Sequence, residues 1–213
     1  MHILKFRSDE ELNEAGAGII TGLVRTNPKA VLGLATGGTP VGIPKDHPES
    51  YHSYMKRHLF DHVDLQPENT HIPDGNAPDL EAECARYDQL LEKVGRIDLQ
   101  LLGIGHNGHI GFNEPGGALC GGTHVVRLRE ETRQANARFF NSVDEVPTHA
   151  LTMGVGAILK AKTILLVVRG ADKAEIVHRA LTGPITTECP ASLLQTHAHV
   201  VVLLDSESGR LFP

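Results

Sequence analysis

Residues 97–115 constrain the fold more than any other stretch of the chain. Ile97-Asp98-Leu99-Gln100-Leu101-Leu102 is an apolar run of strand length, and a short apolar run closed by a glycine is the pattern of a buried strand. It breaks directly into Gly103-Ile104-Gly105-His106-Asn107-Gly108-His109-Ile110-Gly111-Phe112-Asn113-Glu114-Pro115. Glycine permits backbone that other residues resist and lets it come close to a ligand. In open parallel α/β sheets, ligands sit beyond the carboxyl ends of strands, where this loop falls. Imidazole, amide and carboxylate within eight residues can hold and move a proton. Two plainer readings stand beside this one: a polar surface loop, and a metal pair of His106 and His109. No cysteine or further histidine at ligand spacing supports the second.

The flanking segments alternate between strand and helix. Ile3 to Phe6 reads as a strand, and Ser8-Asp9-Glu10-Glu11 is a capping box opening a helix with Leu12, Ala15, Ile19 and Leu23 on one face. Ala30 to Ala35 reads as a second strand. Glu49 to Phe60 reads as a helix, Asn69 to Pro73 as a short strand, and Pro78 opens a helix that stops at Gly95. Cys84 lies on the apolar stripe of that helix and belongs to the core. Gly116 to Gly122 reads as a flexible lid or subunit contact. Pro147 to Leu159 leads into a helix, Thr163 to Val168 is a buried strand, Arg169 to Ala174 turns into a helix, and Val200 to Asp205 closes the sheet. The alternation predicts one Rossmann-like, doubly wound α/β domain over residues 1–213 with a mainly parallel sheet.

Charge and composition narrow the partners. A formal net charge of −6 argues against nucleic acid, which calls for a basic face. Three scattered cysteines make no disulfide framework and fit a reducing compartment. No run is long enough to span a bilayer and the N-terminus lacks a signal-peptide core, so the expected compartment is the cytoplasm, with no membrane partner.

A second chemical site follows the Ala30–Ala35 strand. Thr36-Gly37-Gly38-Thr39-Pro40 offers backbone N–H groups and two hydroxyls, a means of holding phosphate without lysine. Such a loop ordinarily enters a helix. Here Val41-Gly42-Ile43-Pro44-Lys45-Asp46-His47-Pro48 follows, and Gly42, Pro44 and Pro48 exclude a stable helix.

The loop GIGHNGHIGFNEPG resembles the active-site loop of glucosamine-6-phosphate deaminases, and TGGTP resembles that family's phosphate loop. The resemblance covers nearly the whole chain. It implies the fold of the deaminase, ribose-5-phosphate isomerase and CoA-transferase type, and conversion of D-glucosamine 6-phosphate and water to D-fructose 6-phosphate and ammonia. It implies His109 as the base that opens the sugar ring, oriented by Glu114 and Asn107. It implies Thr36, Gly37, Gly38, Thr39, Arg138 and Lys173 as the phosphate ligands. It implies no metal and no organic cofactor, because iminium formation at C2 makes the amine its own leaving group. The partner is a small amino-sugar phosphate, and a homo-oligomer is compatible with the family.

The chain departs from the family in one place. Val41-Gly42-Ile43-Pro44 resembles sequence that in the family follows a further helix and strand, so a block of about 30 residues, the size of a βαβ unit, is missing after Pro40. That block carries the family's enolisation base, and neither Asp46 nor Glu49 aligns with it. Three other readings follow: a phosphosugar-binding protein without turnover, a 6-phosphogluconolactonase-like hydrolase, which shares the fold, and, favoured among the three, a whole deaminase whose polypeptide carries the block in addition to these 213 residues. Gly117, Ala118, His124 and Val126 stand where one branch binds an allosteric amino-sugar phosphate, so that form of control is expected to be absent.

Overall fold

The fold follows from a period-2 pattern in two strands that are apolar on both sides. In the computed structural model, which describes residues 1–34, 39–48, 50–130, 133–134, 137 and 142–213, with backbone alone for 39–40, these strands are β7 (Thr163–Val168) and β8 (Val200–Asp205). Ile164, Leu166 and Val168 of β7 and Val200, Val202 and Leu204 of β8 enter one core. The alternate residues Leu165, Val167, Val201 and Leu203 enter another. Side chains alternate across a strand, so a continuous apolar run demands cover on both faces.

Five parallel strands form the main sheet in the order β1 (His2–Phe6), β8, β7, β4 (Leu99–Leu102), β2 (Leu32–Leu34). Helix α1 (Asp9–Thr26) covers one face, seating Leu12 against Leu99, Leu165 and Leu203. Its N-cap is Ser8, whose Oγ accepts the Glu11 N–H at 3.2 Å, while Glu11 accepts the Arg7 N–H at 3.0 Å, so the capping box closes one residue outside the helix. After α2 (Tyr51–His58) the chain enters α3 (Leu80–Val94), which ends at Gly95 with φ +87° and carries Cys84 buried as expected. A short helix α4 (Val155–Leu159) precedes β7, and α5 (Ala174–Thr182) sends Ala174, Ile176, Val177, Ala180 and Leu181 inward over the second face. Strands alternating with helices around a parallel sheet make this an α/β domain of the doubly wound type. Among the described residues, no helix is long and apolar enough to cross a membrane.

Three local expectations change. Asn69 to Pro73 forms no strand: Pro67–Asn69 is a 3-10 turn, because proline fixes the turn's first residue and removes a ladder donor. A small antiparallel sheet of β3 (Thr39–Pro40), β6 (His149–Thr152) and β5 (His124–Arg127) stands beside the main one. The segment expected only to lead into a helix therefore contains a strand first. The glycine-rich run at Gly116 to Gly122 is tied down at its end, where Cys120 and Gly121 carbonyls accept the N–H groups of Val155 and Gly156 at 3.1 and 3.0 Å.

β2 ends the main sheet, with Leu32, Gly33 and Leu34 only half-buried. Asp98 secures it to its neighbour: one carboxylate oxygen accepts the Val31 N–H at 2.8 Å and the other accepts Lys162 Nζ at 2.6 Å. The lysine bond, then the amide, hold the Asp98 pKa below the usual aspartate value. A lowered carboxylate stabilises the fold above the unfolded pKa, and that contribution is lost as pH falls through the folded one. Asp98→Asn is expected to cost about 1.5–3 kcal/mol near neutrality. Denaturant melts should show the gap closing as the medium is made acid.

Candidate active site

β4 delivers the histidine loop at its carboxyl end, and the loop's glycines are spent on close approach. The Gly105 N–H donates to the His109 carbonyl at 2.9 Å and the Gly108 N–H to the Gly105 carbonyl at 2.9 Å. The loop therefore curls so that the His109 ring lies directly over Gly105, where any Cβ would overlap it. Gly108 has φ +90°, and a Cβ there would stand 2.7 Å from Cys189 Sγ. Its carbonyl accepts the Ala191 N–H at 2.9 Å. The segment around Cys189 thus forms the floor of the loop, and Cys189, 1% exposed, is packing.

Beyond the glycines the loop turns into the small sheet. The Phe112 N–H donates to Thr152 Oγ1 at 3.1 Å, and Asn113 Nδ2 donates to the Ile110 and Met153 carbonyls at 2.9 and 3.0 Å. Asn113 is buried at 1% exposure, so the loop's second asparagine supports the turn rather than the chemistry.

Asn107, His109 and Glu114 converge, as the sequence predicts. Asn107 Nδ2 donates to Glu114 Oε2 at 2.7 Å, and Asn107 Oδ1 accepts the His109 N–H at 3.2 Å. His109 Nδ1 lies 3.6 Å from the same Glu114 oxygen and is buried with no hydrogen-bond partner. That separation is beyond a hydrogen bond, though catalytic bonds commonly tighten only when substrate arrives. With Nδ1 facing a carboxylate, Nε2 is the ring nitrogen that could exchange a proton with a bound molecule. Arg129, which the sequence reading did not single out, comes from 15 residues downstream of Glu114. Its Nε lies 3.7 Å from Glu114 Oε2 and it donates to the Pro115 carbonyl.

Lys173 begins the turn into α5 after β7. Its Nζ donates to the Ile104 carbonyl at 3.0 Å, which brings a cation to the carboxyl end of β4. Burial pulls the Lys173 pKa below the ordinary lysine value, with the Asp172 charge opposing. Asp172 in turn meets His106 Nε2 at 2.5 Å. His106 thus bridges two loops of the site and stands apart from His109's task. Among the described residues no group of three His, Cys, Asp or Glu side chains is arranged to hold a metal.

Of the other residues expected to hold phosphate, Thr36, Gly37, Gly38 and Arg138 lie outside the described residues. Thr39 is placed as backbone in β3, opposite Leu151. Gly42, at φ +84°, turns the chain at the foot of β3, and residues 41–48 form turns without a helix.

Comparison with known proteins agrees with this arrangement. A family model described as glucosamine-6-phosphate isomerases/6-phosphogluconolactonase matches residues 42–203. A glucosamine-6-phosphate deaminase of Bacillus pumilus is 48% identical, over 99% of this chain and 100% of its own. Glucosamine-6-phosphate deaminase 1 of Bacillus subtilis is 46% identical, over 100% of both. A solved structure of a monomeric glucosamine-6-phosphate deaminase superposes with a TM-score of 0.95 at 45% identity, covering 99% of this chain and 100% of that one. The 6-phosphogluconolactonase of Trypanosoma brucei, at 17% identity and a TM-score of 0.77 over 100% of this chain and 98% of that one, shares the fold. The Bacillus pumilus alignment spans 240 positions against 213 residues here, so at least 27 positions have no counterpart in this chain. That difference is the size of the expected missing block.

Proposed function

Because the chain belongs to the family of glucosamine-6-phosphate isomerases and 6-phosphogluconolactonases, we propose the deaminase reaction as its function. It converts D-glucosamine 6-phosphate and water to D-fructose 6-phosphate and ammonia, in amino-sugar catabolism. Relatives of this activity match it at 42–48% identity, whereas the 6-phosphogluconolactonases are similar in fold only. The observation that carries the reading is the convergence of Asn107, His109 and Glu114 in a loop of the deaminase pattern. We take residues 1–213 as one catalytic domain with a small amino-sugar phosphate as its partner and the cytoplasm as its compartment.

The roles rest on the resemblance to the family, and the placement of Asn107, His109, Glu114 and Lys173 supports their part of it. With Nδ1 turned towards Glu114, His109 Nε2 takes the proton of the anomeric hydroxyl, and the carboxylate stabilises the imidazolium that forms. Asn107 ties the carboxylate to the loop and so fixes its distance from the ring. Lys173, with Thr36, Gly37, Gly38, Thr39 and Arg138, takes the phosphate, and that remote binding energy holds the sugar for proton transfer. The shift of the C2 proton to C1 is assigned to no residue of this chain, since the aligned carboxylate is absent. The amine leaves after iminium formation at C2, which calls on no cofactor.

The test is to supply D-glucosamine 6-phosphate and follow ammonia and fructose 6-phosphate together. Equal release of the two supports the reading, and binding without release of either overturns it. The pH dependence supplies a further check. Because burial lowers the Lys173 pKa, its charge is lost at lower pH than that of an ordinary lysine. KM for the sugar phosphate is therefore expected to rise early on the alkaline side. Lys173→Arg should flatten that rise, since guanidinium stays charged there.

A further inference from the structure

A second concentration of positive charge lies at the far end of the small sheet and meets the end of the histidine loop through Arg129, which donates to the Pro115 carbonyl. Arg127, Leu128, Arg129, Glu130, Arg133 and Thr148 line a cavity of about 340 Å³. Arg127 ends β5, where it pairs with His149 at the start of β6. The residue of β6 that touches the histidine loop, Thr152, stands at that strand's other end. Sheet alternation also places Arg127 on the face of β5 opposite His124 and Val126, the positions whose sequence argued against an amino-sugar-phosphate effector.

The electrostatics of the lining are unbalanced. Among the described residues, three guanidiniums meet one lining carboxylate, Glu130, whose Oε2 accepts Arg133 Nη1 at 3.0 Å, and Glu114 beside the lining lies 3.7 Å from Arg129 Nε. This local excess stands out in a chain of net charge −6. Arg133 has its Nη2 committed to the Val143 and Val146 carbonyls at 2.8 and 3.2 Å. Its Nε is buried and, among the described residues, lacks a hydrogen-bond partner. A buried N–H without an acceptor is costly, and an oxygen in the cavity would remove that cost. Arg127 is exposed and makes no ion pair among the described residues. Thr148 adds a hydroxyl, and Leu128 is an apolar side chain of the lining.

We propose that this cavity is a binding site for a small oxyanion of the phosphate class, held by Arg127, Arg129 and Arg133. Guanidinium forks match phosphate oxygens in pairs, and a concave site of one sign concentrates counter-ions. The volume admits a phosphomonoester as well as free phosphate. Arg129 is shared with Glu114 at 3.7 Å, so an anion here draws on a residue that also touches the active site.

Equilibrium dialysis of the whole chain against radiolabelled inorganic phosphate at fixed ionic strength tests this. Two phosphates per chain are expected, one in the cavity and one among the substrate-phosphate ligands. Arg127→Gln should retain one. Lys173→Gln should also retain one, which Arg127→Gln in the same chain then removes. Displacement of the Arg127-dependent phosphate by glycerol 3-phosphate identifies an ester as the occupant, and its persistence identifies free phosphate. Unaltered phosphate binding in Arg127→Gln would overturn the proposal, as would a single site that depends on Lys173 alone. Both results leave the deaminase reading untouched.

Discussion

His109→Gln is expected to lower kcat/KM for D-glucosamine 6-phosphate by about two to four orders of magnitude. Glutamine keeps a polar side chain of similar reach but cannot accept and return a proton near neutral pH. The His109 side chain is mostly buried, at 19% exposure, but glutamine is close to histidine in volume, so the melting temperature should stay close to that of the parent. The residues proposed for the substrate's phosphate do not include His109, so binding of a non-reacting sugar phosphate should survive. Steady-state kinetics beside a thermal melt check both parts. A variant within ten-fold of the parent would remove His109 from the proton path.

Gly105→Ala is expected to be nearly as damaging, for a steric reason. The backbone there accepts alanine, since its φ is not in the positive region. The added methyl would occupy the space of the His109 ring, so the ring must move by about 1 Å, a displacement that can cost about 100-fold in rate. Gly103→Ala, two residues earlier in the same loop, is the matched control. Nothing stands within 4 Å of a Cβ at that position, and the rate should be close to that of the parent. Equal losses in both variants would show that the loop requires glycine for its backbone and not for the ring above it.

The contrast between these glycines marks what the sequence could reveal. The histidine loop was legible because its chemistry is local: Asn107, His109 and Glu114 are separated by at most seven residues, and a tight loop brings such residues together. Lys173 was picked out by the resemblance alone, because a lysine at the start of a helix reads by itself as a solvated side chain. Arg129 was not, because its reach to Glu114 depends on how β5 returns from the loop, and nothing in the residues between encodes that direction. Cys189 beneath Gly108 joins parts of the chain 81 residues apart, a contact that only the closed sheet creates. The strand β6 shows the same limit from the other side. His149 to Thr152 has no alternation to distinguish a strand from the approach to a helix, and its partners β3 and β5 decide the matter. Asn69 to Pro73 has strand-forming residues, but its segment has no neighbouring ladder to join.

The order of strands also dictates when the molecule can assemble. β8 sits between β1 and β7, so His2 finds its register partner at Val201, and Lys5 Nζ reaches the Phe212 carbonyl at 2.8 Å. Leu12 of α1 needs Leu203 to complete its pocket. The opening strand and helix therefore emerge from the ribosome long before their partners are made, and wait as an unpaired amphipathic segment. Contacts so distant in sequence slow folding, and exposed intermediates of this kind are where chaperones act. A ribosome-bound chain halted before Val200 should be open to protease at β1 and α1. Release of the last strand should close both at once.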